Sequence, residues 1–393
     1  MNNILAAFDK FKGSLTAQHA CEIAKKAVST AQPEANVVTA PLTDGGEGFC
    51  EILTRAVEGQ LIEVRTLNAR FVEKEAHIGL VEIHKLPAQA QATLNLSENA
   101  KKLAIVEMAQ ASDLVSLAED QRNPWEASSA GTGTLIREAA NLEVDAILLG
   151  IGGSATNDIG LGALEALGAE FIGDDGVPIL RISPKDFGKL DEIDLLSNLL
   201  PLPPIRIACD VENPLLGKQG ATRVFAPQKG LPESEHAMME EALRLASALL
   251  CQASEKEEHA LNLPGAGAAG GIGLGLHLVY DAMFLPGFDL VANWLDLANR
   301  IEKADILLTG EGSFDQSSLL GKGPWELVQL GTKVGKQVQI HAGRVADDVH
   351  DSLAGNVSAM SITPEGVSQQ EAFAQAPDFL FQSVLNKFQS FSD

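Results

Sequence analysis

Asn3-Ile4-Leu5-Ala6-Ala7-Phe8-Asp9-Lys10-Phe11-Lys12-Gly13-Ser14 decides how the rest of the chain is organised. An apolar run over 3–8 breaks off in charge, and residues 17–30 carry apolar side chains at helical spacing. Residues 36–41 are apolar again, so the segment spells strand, helix, strand. Charge gathers just past each run, first at Asp9, Lys10 and Lys12, then in Asp44-Gly45-Gly46-Glu47-Gly48. In open α/β sheets ligands bind beyond the carboxyl ends of strands, so this placement carries functional meaning.

Working outward, residues 305–309, 337–341 and 359–362 repeat the pattern, each apolar and each leading into Gly, Pro or charge. With the first two strands they predict one parallel sheet built from both ends of the chain. The expected division is 1–45 with 290–393 as one domain and 46–289 as an α/β domain inserted into it, the site lying in the cleft between them. Inside the insertion, 61–66, 76–82 and 103–107 alternate instead of following the helical period, which predicts a β-rich portion. Polar turns join these strands, among them a Gln/Asn-containing stretch over 89–99. Helix 134–140, strand 146–150, a glycine loop and helix 160–167 return to the α/β pattern. Pro, Gly and acidic residues over 172–204 read as an irregular surface segment. A chain of 393 residues exceeds one ordinary core, in keeping with two domains.

The formal net charge of −24 excludes nucleic acid or an anionic membrane as the main partner. An anionic substrate must therefore be met by local Lys, Arg, metal or helix N-termini. Four cysteines without a C-x-x-C pair exclude a zinc knuckle and suggest no disulfide framework, as in a reduced cytoplasmic protein. No apolar run is long enough for a signal peptide or a membrane span.

The chemistry is concentrated in glycine-bracketed carboxylates and hydroxyls: 44–48, Ser128-Ser129-Ala130-Gly131-Thr132-Gly133, 150–158, 264–271 and Thr309-Gly310-Glu311-Gly312-Ser313-Phe314-Asp315. Glycine lets backbone approach a ligand closely, hydroxyls and N–H groups hold phosphate oxygens, and carboxylates hold a divalent metal or take a proton. Each of Asp44, Glu47, Asp158, Asp210, Glu311 and Asp315 could be a turn former, but six in marked loops at element ends point to a site. Ser129 and Thr132 could equally cap the helix that follows, and Ser14 the helix after it. His341 reads as packed, whereas Arg344 suits a substrate carboxylate. Gly150-x-Gly152-x-x-Ala155 also spells a dinucleotide fingerprint, which leaves a nicotinamide-dependent oxidoreductase as an alternative. No P-loop is present, because Gln219 follows Gly217-Lys218 and Gly323 follows Gly321-Lys322.

Taken together, 8–15, 44–48, 129–133, 152–158, Ala208-Cys209-Asp210-Val211-Glu212-Asn213-Pro214-Leu215, 264–271 and 309–315 resemble the type-1 glycerate kinases. The resemblance implies a Rossmann-like domain formed by both chain ends, an inserted domain, and phosphorylation of D-glycerate by ATP and Mg2+ to 2-phosphoglycerate. On that basis the nucleotide phosphates would rest on Gly152, Gly153, Ser154, Thr156, Gly265, Gly267, Gly270 and Gly271. Asp210 and Glu311 would meet magnesium, and Asp44 or Asp158 would take the hydroxyl proton. Lys12 would neutralise the transferring phosphoryl group. Lys10 or Arg344 would hold the glycerate carboxylate, with Ser14, Ser129 and Thr132 as further substrate contacts. Transfer to the other hydroxyl, giving 3-phosphoglycerate, is an alternative, and a non-catalytic sugar-acid sensor is a more distant one. Homo-oligomerisation is left open.

Overall fold

The computed structural model describes residues 2–321 and 323–389, so Lys322 lies outside the described residues. The chain divides into two compact units, Met1–Asp44 with Val291–Asp393, and Gly45–Leu290.

The first unit is built on a five-stranded parallel sheet. Its order runs Val357–Ser361, Gln337–Ala342, Ile306–Thr309, Asn3–Ala6, Asn36–Thr39. Asn3–Ala6 is flanked on both sides, and its Ile4, Leu5 and Ala6 are almost wholly buried. This is why it reads as a continuous apolar run without alternation. The helix Ala17–Ala31 buries Ala17, Ala20, Cys21, Ala24, Ala27 and Val28, one face at helical spacing. The Thr16 hydroxyl caps its N-terminus, accepting the His19 N–H at 3.2 Å, so Ser14 is not the cap. The helix Gln369–Gln389 packs Ala376, Leu380, Val384 and Phe388 into the same core.

The second unit holds a six-stranded sheet ordered Met283–Leu285, Ile205–Ala208, Ala146–Gly150, Lys102–Glu107, Glu73–Glu82, Gln60–Leu67. The first four strands are parallel, and the last two are added antiparallel. The expected β-rich portion is this antiparallel edge. Ala146–Gly150 is buried along its whole length, whereas Gln60–Leu67 at the edge alternates.

Three segments differ from the sequence expectation. The 89–99 stretch contains a helix, Ala88–Leu94, anchored by buried Ala90 and Leu94 at i and i+4. The 172–204 segment carries a second small sheet, Glu170–Gly173 against Leu190–Asp194. Ile205–Ala208 and Met283–Leu285, at four and three residues, are too short to show any periodicity.

Candidate active site

All strands of the first unit's sheet run parallel, so the segments after Ala6, Thr39, Thr309 and Ala342 emerge at one edge. Their backbones are stitched together there. Asp9 N–H donates to the Gly310 carbonyl at 3.0 Å, and Gly343 N–H to the Glu311 carbonyl at 3.0 Å. Gly310 is obligatory, because a Cβ there would lie 1.9 Å from the His341 carbonyl oxygen. This edge carries Asp9, Lys10, Lys12, Asp44, Glu311 and Arg344.

The centre of that group is Lys10. Its ammonium donates to Asp44 Oδ1 at 2.9 Å and stands 3.7 Å from Asp9 Oδ1. Asp44 is half exposed and Asp9 nearly buried, so the two carboxylates differ in character. Burial pushes the Asp9 carboxyl up to about 6, the Lys10 charge opposing that rise and the Asp44 charge adding to it. The sequence offered Asp9 only as a motif neighbour, and the structure makes it part of the charge cluster. Lys12 and Arg344 are exposed, and the Ser14 hydroxyl closes a turn on the Phe11 carbonyl at 3.1 Å. His341 is buried, its Nδ1 lying 2.8 Å from Ser383 Oγ, and burial lowers its imidazole to about 3.

An ionised Asp9 in this position weakens the fold, which yields a pH test. The folded pKa lies above the unfolded value of 3.8, so the protonated form is the one the fold favours. That contribution is full below about pH 4 and lost as pH rises to about 6. Asp9→Asn, which keeps size and an acceptor, is expected to raise stability at pH 8 by about 3 kcal/mol. At pH 4 it is expected to match the native chain. Urea midpoints at the two pH values check this, and an equal effect at both would refute it.

In the second unit the parallel strands again deliver their loops to one edge. Gly152 N–H donates to the Gly45 carbonyl at 3.0 Å, and a Cβ on Gly152 would sit 2.7 Å from Gly46 backbone. Gly48 and Cys50 N–H groups both donate to buried Glu107, at 3.1 and 2.9 Å, which fixes the turn into helix Phe49–Ala56. Glu107, missed in the sequence, has its carboxyl pushed up to about 7 by burial. The 265–271 loop seats its neighbours. Gly267 N–H donates to the Asn213 carbonyl, Ile159 N–H donates to the Gly270 carbonyl, and a Gly270 Cβ would lie 2.1 Å from the Thr156 carbonyl oxygen. Gly265, Gly270 and Gly271 have φ of +86°, +72° and +90°, values that favour glycine. Gly267 and Gly270 therefore face protein backbone, while Gly153 is exposed on its own loop.

Three expected contacts need correction. Asp158 is fully buried, and its oxygens accept from Ser129 N–H and Oγ (both 2.7 Å), Gly160 N–H (3.2 Å) and Gly162 N–H (3.3 Å). Burial raises its carboxyl against those donors. It staples two helix N-termini, Ala130–Asn141 and Leu161–Ala166, rather than standing open at a loop surface. Ser129 is sealed in by the same bonds, and the buried Thr132 hydroxyl pairs with Ser112 Oγ at 2.9 Å. The dinucleotide fingerprint also fails. Its last glycine position should open a helix, yet the helix starts only at Leu161, beyond left-handed Ile159 and Gly160.

Beneath the 152–158 loop lies Lys229, which nothing in the sequence pattern singles out. It is 2% exposed, and its ammonium donates to Ser154 Oγ at 2.9 Å and the Thr156 carbonyl at 2.6 Å. Burial lowers it to about 7, with the Asp158 charge acting against that fall. Asp210 is exposed beyond strand Ile205–Ala208 and accepts the Phe288 N–H at 2.9 Å. Among the described residues no three His, Cys, Asp or Glu side chains are grouped to hold a metal. Asp210 and Glu311 belong to different units. Nor is any helix among them long and apolar enough to cross a membrane.

The sequence profile of the glycerate kinase family matches residues 4–391. A glycerate kinase of Halalkalibacterium halodurans is 34% identical, with 98% of this chain and 97% of that protein covered. A glycerate 2-kinase of Escherichia coli K12 is also 34% identical, covering 98% and 96%. A crystal structure from Salmonella typhimurium LT2, provisionally assigned as glycerate kinase 2, superposes with a TM-score of 0.76 at 31% identity. That superposition covers 100% of this chain and 98% of the other.

Proposed function

This chain belongs to the glycerate kinase family, and we propose that it transfers the γ-phosphoryl group of ATP to the 2-hydroxyl of D-glycerate, giving 2-phosphoglycerate and ADP. The kinase chemistry and the nucleotide follow from the family. The choice of hydroxyl is supported by likeness to a relative named glycerate 2-kinase. The observation that carries the mechanism is the pairing of Asp44 with Lys10 at 2.9 Å, a half-exposed carboxylate held in place at a sheet edge.

Phosphoryl transfer requires mainly positioning and charge stabilisation from the protein. Asp44 accepts the proton of the attacking hydroxyl as its oxygen bonds to the γ-phosphorus and the bond to the β-phosphate oxygen breaks. Lys10 keeps Asp44 oriented, while Arg344 is free to hold the glycerate carboxylate in bidentate fashion. Lys12, exposed on the turn after Phe11, meets charge on the transferring group. The 152–156 loop, with Ser154 and backbone N–H groups, receives the phosphates. Magnesium supplies charge neutralisation on the phosphate oxygens when bound. A hard oxygen donor such as exposed Asp210 fits it, as does Glu311, because this ion needs only one or two carboxylates beside phosphate and water.

Phosphorus NMR of the chain with D-glycerate, ATP and magnesium tests the assignment. A new monoester signal matching 2-phosphoglycerate is expected. A 3-phosphoglycerate signal would keep the kinase and overturn the choice of hydroxyl.

A further inference from the structure

A buried ammonium is costly unless its charge and donors are used. Lys229 has no carboxylate oxygen within 4.0 Å among the described residues, so the buried Asp158 charge reaches it only at longer range and not as a hydrogen-bonded pair. Two of its three donors are taken, by Ser154 Oγ and the Thr156 carbonyl, and the third meets no acceptor among the described residues. Because Ser154 Oγ accepts from the ammonium, its own proton must point elsewhere, and no described acceptor takes it. Thr156 Oγ1 and both polar atoms of the Asn157 amide are likewise buried without a partner. These orphaned groups are grouped on one glycine-led turn, in a chain of net charge −24. Residues 150–158 contain no Lys or Arg of their own. A seat for an anion at Ser154, with its positive charge supplied from behind by Lys229, accounts for the buried ammonium and the unused Ser154 proton together.

We propose that Lys229 is a positioning residue of this loop, turning the Ser154 hydroxyl outward as a donor to a phosphate oxygen of the nucleotide. The hydroxyl that accepts from a cation is also a stronger donor, since hydrogen bonds in series polarise one another. The proposal rests on the assignment of ATP phosphates to this loop. The same chemistry would suit the phosphate of the product, and the test separates the two.

Calorimetric titration of the full chain with ATP, inorganic tripolyphosphate, adenosine and 2-phosphoglycerate is compared for the native protein, Lys229→Met, Ser154→Ala and the double variant. Lys229→Met is expected to weaken ATP and tripolyphosphate by about 10–100-fold, the range for one charge-assisted hydrogen bond, and to leave adenosine unchanged. In the Ser154→Ala background the same change should cost far less, because the two act in series. A merely structural lysine would weaken adenosine equally, or give additive losses, and either result overturns the proposal. Loss confined to 2-phosphoglycerate would overturn the nucleotide assignment. If the native chain binds ATP but tripolyphosphate does not compete, the phosphate role of the loop itself fails. If native binding is normal and Lys229→Met keeps it, only the role of Lys229 fails. Should Lys229→Met not fold, judged by circular dichroism, Lys229→Gln, which keeps a donor to Ser154 but loses the charge, is expected to weaken ATP and tripolyphosphate by a smaller factor that disappears in the Ser154→Ala background, and a loss that persists there would overturn the proposal.

Discussion

Asp44→Asn lowers kcat by about 10²–10⁴-fold, the usual contribution of a positioned general base, with KM for both substrates nearly unchanged. The substitution keeps shape and an oxygen that can accept from Lys10, so only the ability to take a proton is lost. Stability should hardly move, because the Lys10–Asp44 pair is partly exposed and such pairs contribute about 0–1 kcal/mol. Single-turnover assays are the right measurement, since slow product release could hide a change in the chemical step. Native single-turnover rates in Asp44→Asn would remove Asp44 as the base. Lys10 stands closer to Asp44 than to Asp9, 2.9 against 3.7 Å, so the outer carboxylate is the one held in position.

Asp158→Ala has the opposite signature. It strands four donors, the Ser129 N–H and hydroxyl and the Gly160 and Gly162 N–H groups, in a fully buried site. The expected loss is about 4 kcal/mol of stability, near the upper end for a single substitution. Asp158→Asn should recover roughly half, since one oxygen still accepts while the amide NH2 faces donors. Well below the melting range, kcat should fall less than tenfold. Urea unfolding and steady-state rates on the same samples separate the cases. A stable Asp158→Ala with a collapsed kcat would restore Asp158 as a candidate base.

The contrast between these two aspartates shows where sequence reasoning stopped. Both lie in glycine-marked loops at element ends, and local pattern cannot tell an outward carboxylate from one folded back over helix N-termini. The same holds for Ser129 and Thr132, whose hydroxyls read alike whether they meet a ligand or the protein. What was legible followed from burial along an element. Asn3–Ala6 and Ala146–Gly150 are continuous apolar runs because both are interior strands, and Ala17–Ala31 shows its buried face at helical spacing. Lys229 was invisible because a lysine in sequence reads as solvated, and only tertiary packing places it beneath a loop.

The sheet of the first unit joins segments far apart in the chain, with Asn3 and Asp305 bonded across 302 positions. At the usual ribosomal pace of about 5–20 residues per second, roughly 15–60 s separate the synthesis of the two sides. During that interval the inserted unit, whose strands all lie within 45–290, has every partner it needs. Asn3–Ala6, by contrast, has its Ile306–Thr309 neighbour still to come. An apolar strand with an open edge invites pairing with other chains. At only four residues, Asn3–Ala6 offers little template for such pairing while it waits.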